Sequence, residues 1–190
     1  MGETWLTSDL HLGHAKVAEL RGFSSVEDHD LAIVNNIARR VRAGDDLWVL
    51  GDVALGGWRE ALAKLRRIPC DKHLVLGNHD RAHPMHSRGH AYVKEYGAVF
   101  DTIQIAGRVR NVLLSHFPYD GEGASTPDAE ERHTQWRLRD EGAVLAHGHT
   151  HDSIKVRSSK LGTPMIHVGL DAWGLAPVTI ASVLGTTDAV

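Results

Sequence analysis

The chain carries a single cysteine, Cys70, so neither a disulfide framework nor a cysteine-based zinc site can be built from it. One thiol suits a reducing cytoplasm. No apolar run approaches the roughly 18 residues of a membrane span. The opening MGETWLTSDLHLGH lacks the basic segment and apolar stretch of a secretory signal. Leu6 stands where a myristoylation motif would want Ser or Thr. Basic excess is also missing: the formal net charge is -3 and the charges are interspersed, which excludes the basic stripe of a dedicated nucleic-acid surface. A small nucleotide stays possible, because a metal ion supplies positive charge that side chains do not. Repeats and low-complexity tracts are absent. With 190 residues, the chain is expected to form one domain, 1–190, large enough to bury a sizeable core. The oligomeric state is not readable.

What is abundant is histidine, at 14 residues, three of them in the stretch His147-Gly148-His149-Thr150-His151. Imidazole is the commonest metal ligand, so these positions are where chemistry is sought first.

Residues 4–8 (TWLTS) read as a short strand. Leu31, Val34, Ile37, Ala38 and Val41 have helical spacing over 29–41, with Gly44 as a C-terminal stop. DLWVLGD (46–52) reads as a buried strand, and Ala61, Leu62, Leu65 and Ile68 as a helix face ended by Pro69. KHLVLGNHD (72–80) is a second buried strand. VFDTIQIAG, VRNVLLSHFP, GAVLAHGHTH, TPMIHVG and PVTIASVL all read as strands. Strand–helix alternation followed by strands predicts an α/β chain with a mixed sheet, or two packed sheets with helices outside. The irregular stretch 118–128 leads to a short helix capped by Asp128 with Glu131 three residues on. Residues 118–141 are therefore expected to form a rim over a site.

Five strand candidates end in potential ligands: Asp9 and His11; Gly51-Asp52; Gly77-Asn78-His79-Asp80; Ser115-His116; and His147 to His151. Strand ends at one sheet edge converge in space. Imidazole and carboxylate together suit divalent ions such as Mn²⁺, Fe²⁺ and Zn²⁺. A carboxylate is the usual bridge between two ions, and Asp52, a lone acid at a central strand end, is the natural choice.

These blocks, in this order over residues 9–151, resemble the calcineurin-like metallophosphoesterases. TSDLHLGH at the start and HVGLDAW with PVTI near the end are similar to a compact subfamily of bacteria and their phages. The resemblance implies a four-layer αββα sandwich with two divalent metals, Mn²⁺ first and Fe²⁺/Fe³⁺, Zn²⁺, Ni²⁺ or Co²⁺ as alternatives. One metal would take Asp9, His11, Asp52 and His151, the other Asp52, Asn78, His116 and His149. It implies hydrolysis of a small phosphate ester, with nucleotides expected, by attack of a metal-bridging hydroxide. His79 would be the general acid, with Asp80 orienting it and raising its pKa, and Asn78 would also meet substrate. Phosphodiesters, including 2′,3′-cyclic nucleotides, are the expected substrates, and phosphomonoesters the alternative. No side-chain nucleophile is required, so Ser8 and Ser115 read as structural.

Other positions have plainer readings. His147 is expected behind the site. His14 could meet substrate phosphate or merely start a helix. His29, His83, His86 and His90 are expected to face solvent. His133 and Trp136 fall in the rim, where stacking on a base is the lesser reading. Asp171 is expected to fix a loop or support a ligand, and Cys70 to fill space. Among rival functions, a metallo-β-lactamase-like hydrolase does not explain GNHD. A noncatalytic scaffold should have lost ligands. A nuclease of the same fold should carry a basic surface or an added domain.

Overall fold

The computed structural model describes residues 2–121 and 132–187. In chain order the elements are β1 (Thr4–Thr7), α1 (Ala15–Leu20), α2 (Val26–Arg40), β2 (Asp46–Val49), α3 (Trp58–Arg66), β3 (Asp71–Val75), α4 (Val93–Tyr96), β4 (Thr102–Gln104), β5 (Ala106–Val109), β6 (Val112–Ser115), β7 (Leu145–His147), β8 (Val156–Ser158), β9 (Pro164–His167), β10 (Val178–Thr179) and α5 (Ile180–Thr187).

They build two mixed sheets flanked by helices. The first runs β10-β1-β2-β3-β4 and the second β5-β6-β7-β9-β8. β1 to β4 are mutually parallel and β10 is antiparallel. β6, β7 and β9 are parallel, with β5 and β8 antiparallel at the edges.

Register explains the layering. Trp5 lies beside Leu47, and Thr7 beside Val49 and then Leu74. Trp5, Leu47, Val49 and Leu74 join α2 and α3 side chains Ile33, Ile37, Ala61, Leu62 and Leu65 in one core. The alternate residues Leu6 and Val75 point the other way. They meet Leu114, Ala146 and Ile166 of the second sheet in the core between the sheets. Leu113, Leu145 and Met165 turn outward under Tyr119 and Leu138.

α2 has clear end signals. The Ser25 hydroxyl accepts the Asp28 N–H, Glu27 and Asp28 lie in the first turn, and Arg39 and Arg40 in the last, which complements the helix dipole. It begins at Val26 and ends at Arg40, and Gly44 (φ 87°) turns the chain into β2 rather than ending the helix.

The largest departure from expectation is the C-terminus. Only Val178 and Thr179 are extended, and Ile180–Thr187 is helical. The Thr179 hydroxyl accepts the Ser182 N–H at 3.1 Å, a cap of ordinary type. Ile180, Val183 and Leu184 recur at helical spacing on the inter-sheet core. α1 follows His14, in keeping with the helix start that is one of its two readings, while α4 and β8 were not anticipated. The helix expected from Asp128 lies outside the described residues. No helix among the described residues is long and apolar enough to cross a membrane.

Candidate metal centre

Because β1, β2 and β3 are parallel and adjacent, their C-terminal ends share one edge. β6, β7 and β9 do the same in the second sheet. A backbone bridge pairs Ser8 with Gly169, and the Gly148 N–H donates to the His116 carbonyl at 3.0 Å. The two edges thus merge, and segments 8–12, 50–54, 77–80, 115–117 and 147–151 converge.

The convergence is strained. Eight non-glycine residues among those described have left-handed φ, and five of them are Asp9 (58°), His11 (46°), Asp52 (54°), His149 (73°) and His151 (53°). Such conformations cost about 1–3 kcal/mol each and persist where the surroundings over-determine them. Closeness is equally strict. A Cβ on Gly148 would lie 1.9 Å from the Ser8 hydroxyl and 2.6 Å from an Asp9 carboxylate oxygen, and one on Gly77 would lie 2.3 Å from Asp52 Oδ1.

Asp9, His11 and His151 form one group whose potential ligand atoms lie within 4.8 Å of one another, and Asp52, His116 and His149 form a second. Asp52 Oδ2 lies between them, 3.6 Å from His11 Nε2, 3.5 Å from His116 Nε2 and 4.0 Å from His79 Nε2. Its other oxygen accepts the His79 N–H at 2.8 Å. Asn78 Oδ1 stands 3.0 Å from His116 Nε2. All seven residues expected to hold metal are therefore within one cluster.

Tautomers show what the cluster needs. His116 Nδ1 lies 2.8 Å from the Leu50 carbonyl, a pure acceptor, so it carries the proton. The Nε2 lone pair then faces the Asn78 amide oxygen, another acceptor. His151 Nδ1 lies 3.0 Å from Asp171 Oδ2 and carries its proton likewise. Its Nε2 lone pair faces His11 Nε2 at 3.0 Å. The His116 lone pair and the Asn78 oxygen, acceptors aimed at each other beside two buried carboxylates, require a proton or a cation between them. The donor set fits divalent metal ions.

Charge states follow from burial. Burial pushes the Asp52 carboxyl up, with the Asp9 charge adding to it against His116. Burial takes His11 down to about 3, against the pull of Asp9. Burial would also raise Asp9, but the imidazoles of His151, His116 and His11 outweigh it and hold the carboxyl below the ordinary range.

The expected role of Asp80 needs correction. Its Oδ2 accepts the N–H groups of Asp52 (3.0 Å) and Gly77 (2.8 Å), and its Oδ1 that of Val53 (3.0 Å). No hydrogen bond joins it to the His79 ring. Burial, together with the Asp52 charge, pushes its pKa up to about 7. His79, 42% exposed at the side chain, has its pKa lowered, by burial first and His116 second, and Asp80 only partly offsets this.

Asp171, expected to fix a loop or support a ligand, lies behind His151; what sequence reading missed is Arg21. Asp171 accepts His151 Nδ1–H and is gripped in turn by Arg21, whose Nε and Nη2 donate to its two oxygens at 2.8 Å each. Arg21 also donates to the Asp9 carbonyl at 2.8 Å and lies 3.1 Å from His29 Nε2. His29 meets Asp30 at 3.1 Å, and Asp30 meets Lys64 at 2.7 Å. A carboxylate behind a ligating imidazole fixes its tautomer and raises its basicity. Asp171→Asn is expected to weaken metal binding by about tenfold, read by calorimetric titration of the metal-free protein. Unchanged affinity would count against the support.

The remaining histidines divide. His86 and His90 are exposed as expected, but His29 and His83 are fully buried. His29 shares α2's apolar face with Ile33 and Ile37, an i, i+4, i+8 spacing that was legible. His83 accepts the Met85 N–H at 3.0 Å and packs against Trp136 at 4.6 Å. Burial lowers its pKa to about 4. His147 is buried behind the site, 5.5 Å from the ring of His167. His167, also missed, brings Nε2 to 4.0 Å from Asp9. His14 starts α1 with its ring 5.6 Å from that of His11. His133 stacks on Phe117 at 5.1 Å and lies 5.4 Å from His149, so this part of the rim reaches the cluster.

Imidazoles and carboxylates gathered under strain about one shared oxygen, on a two-sheet sandwich, form a donor set for divalent ions, and the family that the chain matches makes it that of a metal-dependent hydrolase of phosphate esters. The chain belongs to the calcineurin-like phosphoesterase superfamily, whose domain model matches residues 4–172. It is similar to the Gene 66 protein of Mycobacterium phage D29, 48% identical over 185 residues covering 91% of this chain and 90% of that one. It is 43% identical to the Gene 66 protein of Mycobacterium phage L5 over 189 residues, covering 92% and 89%. A crystal structure of a protein of unknown function from Aquifex aeolicus shares the fold, with a TM-score of 0.68 at 21% identity over 98% of this chain and 100% of that one.

Proposed function

We propose that this chain hydrolyses phosphodiesters, 2′,3′-cyclic nucleotides among them, at a two-ion centre in the cytoplasm. One ion would be held by Asp9, His11, Asp52 and His151, the other by Asp52, Asn78, His116 and His149, with Mn²⁺ the first choice. The observation carrying this reading is the approach of three imidazole nitrogens to the single oxygen Asp52 Oδ2, the place a bridging carboxylate occupies. When bound, such ions make hydroxide available near neutral pH and offset charge on phosphate oxygens. Asn78 adds an amide dipole beside the same oxygens. His14 flanks His11 and stands where a further phosphate oxygen would be met. His79, the most exposed of the imidazoles near Asp52, would give a proton to the departing alkoxide.

The diester preference is supported by two clefts. One of about 350 Å³ borders Asn78 and His79, and one of about 470 Å³ borders His151, giving an ester arm on either side somewhere to lie.

The test compares p-nitrophenyl phosphate, bis-p-nitrophenyl phosphate, and 2′,3′- and 3′,5′-cyclic AMP on Mn²⁺-loaded protein. Diesters are expected to turn over faster. Monoesters far ahead of both linear and cyclic diesters would sink the preference. His79→Ala is expected to retain metal and to lose about 10²-fold on alcohol leaving groups, and much less on p-nitrophenolate. Equal losses on both would exclude the acid role.

A further inference from the structure

The cleft beside Asn78 and His79 is cationic in a chain whose net charge is -3. Its walls include Arg81, His86, Arg88 and Tyr92, and no aspartate or glutamate. Both arginines are exposed, and neither guanidinium has a carboxylate partner among the described residues. Arg81 is instead held over aromatic faces, 5.6 Å from the Tyr92 ring centroid and 5.8 Å from that of Trp58. This fixes its direction without neutralising it. His86 Nε2, 3.0 Å from the Asn78 carbonyl, donates to it and ties the wall of the cleft to the metal cluster.

Guanidinium forks match phosphate geometry, and unneutralised cations in a concave wall attract an anion. We infer that this cleft binds a second phosphate, carried on the leaving arm of the substrate, with Arg81 and Arg88 as its ligands. The substrate class is then a phosphodiester whose leaving nucleoside is itself phosphorylated. This rests on the proposed diesterase reading, in which His79 marks the leaving-group side. The arm's ring would lie along Tyr92 and Leu55.

Two measurements test it separately. In the first, adenosine 3′,5′-bisphosphate and adenosine are titrated into metal-free protein, where the centre offers no cation. The bisphosphate is expected to bind and adenosine to bind far less. Arg88→Gln and the Arg81→Gln/Arg88→Gln pair are expected to weaken the bisphosphate by about tenfold or more, because each removes a charge-assisted contact. Absence of binding to the wild type, or equal binding to the variants, overturns the inference.

In the second, Mn²⁺-loaded protein is given thymidylyl-thymidine bare, 5′-phosphorylated or 3′-phosphorylated. One phosphorylated form is expected to exceed the bare dinucleotide in kcat/KM by about tenfold, and the double variant to bring that ratio close to one. A wild-type ratio of one for both forms overturns the inference. If no diester is turned over at all, the diesterase reading falls, while the titration still decides whether the cleft holds phosphate.

Discussion

Asp52→Asn is expected to abolish catalysis, by about 10³-fold or more, because bound ions contribute several kcal/mol of charge stabilisation and each 1.4 kcal/mol is a factor of ten. The substitution is nearly isosteric. Its carbonyl oxygen can still accept the His79 N–H that Asp52 Oδ1 takes at 2.8 Å, so the loop is retained. What is lost is Oδ2, the atom that His11, His79 and His116 all approach, replaced by an amide that cannot bridge. Metal content should fall from two ions to one or none, and the rise in melting temperature on adding Mn²⁺ should shrink accordingly.

The metal-free protein should behave in the opposite way. Burial raises the Asp52 carboxyl above its unfolded value. Its contribution is therefore favourable at low pH and is lost as pH rises through the folded value. At pH 8 the metal-free variant should melt no lower than the wild type, and the comparison should shift toward the wild type on acidification. A variant that keeps two ions and full turnover would remove Asp52 from the bridge.

Asp80→Ala is expected to act on folding as much as on chemistry. Three buried N–H groups, of Asp52, Val53 and Gly77, lose their acceptor. Leaving a buried donor unsatisfied costs about 1–3 kcal/mol, so for three donors a destabilisation on the order of 3–9 kcal/mol is expected, less whatever removal of a buried carboxylate returns. For a chain of this size about 1 kcal/mol moves the melting temperature by about 2–4 °C, so the fall should be about 10 °C or more. Asp80→Asn, which keeps one carbonyl oxygen, should fall between. Activity should drop on activated and unactivated esters alike, because Asp80 positions Asp52 through the backbone. A normal melting temperature with a loss confined to alcohol leaving groups would restore the role first expected for Asp80, that of orienting His79.

Each ligand-bearing segment follows an apolar run. DLWVLGD and KHLVLGNHD carry both their burial and their polar ends in the written order of residues, so the strands, the clustering of their ends and the place of Asp52 among the histidines were legible. His29 could have been placed in the core from its spacing with Ile33 and Ile37, and α5 from the Thr179–Ser182 cap. Asp80's actual partners could not, because an aspartate beside a histidine looks the same whether it faces the ring or three N–H groups, one of its own turn and two of the segment after β2. Arg21 and His167 carried no signal either. They matter through Asp171 and Asp9, partners 150 and 158 positions away.

The sequence by itself determined which residue types stand at which strand ends, and hence the family and the chemistry open to it. Local apolar pattern sets strand and helix, and parallel strands necessarily bring like ends to one edge. The tertiary structure alone decided the geometry. It set left-handed turns at five of the ligand positions, the merging of two sheet edges at Ser8 and Gly169, the relay from Lys64 to His151, and a cationic cleft beside His79. These depend on contacts between segments far apart in the chain, and on strain that only a packed surrounding can hold.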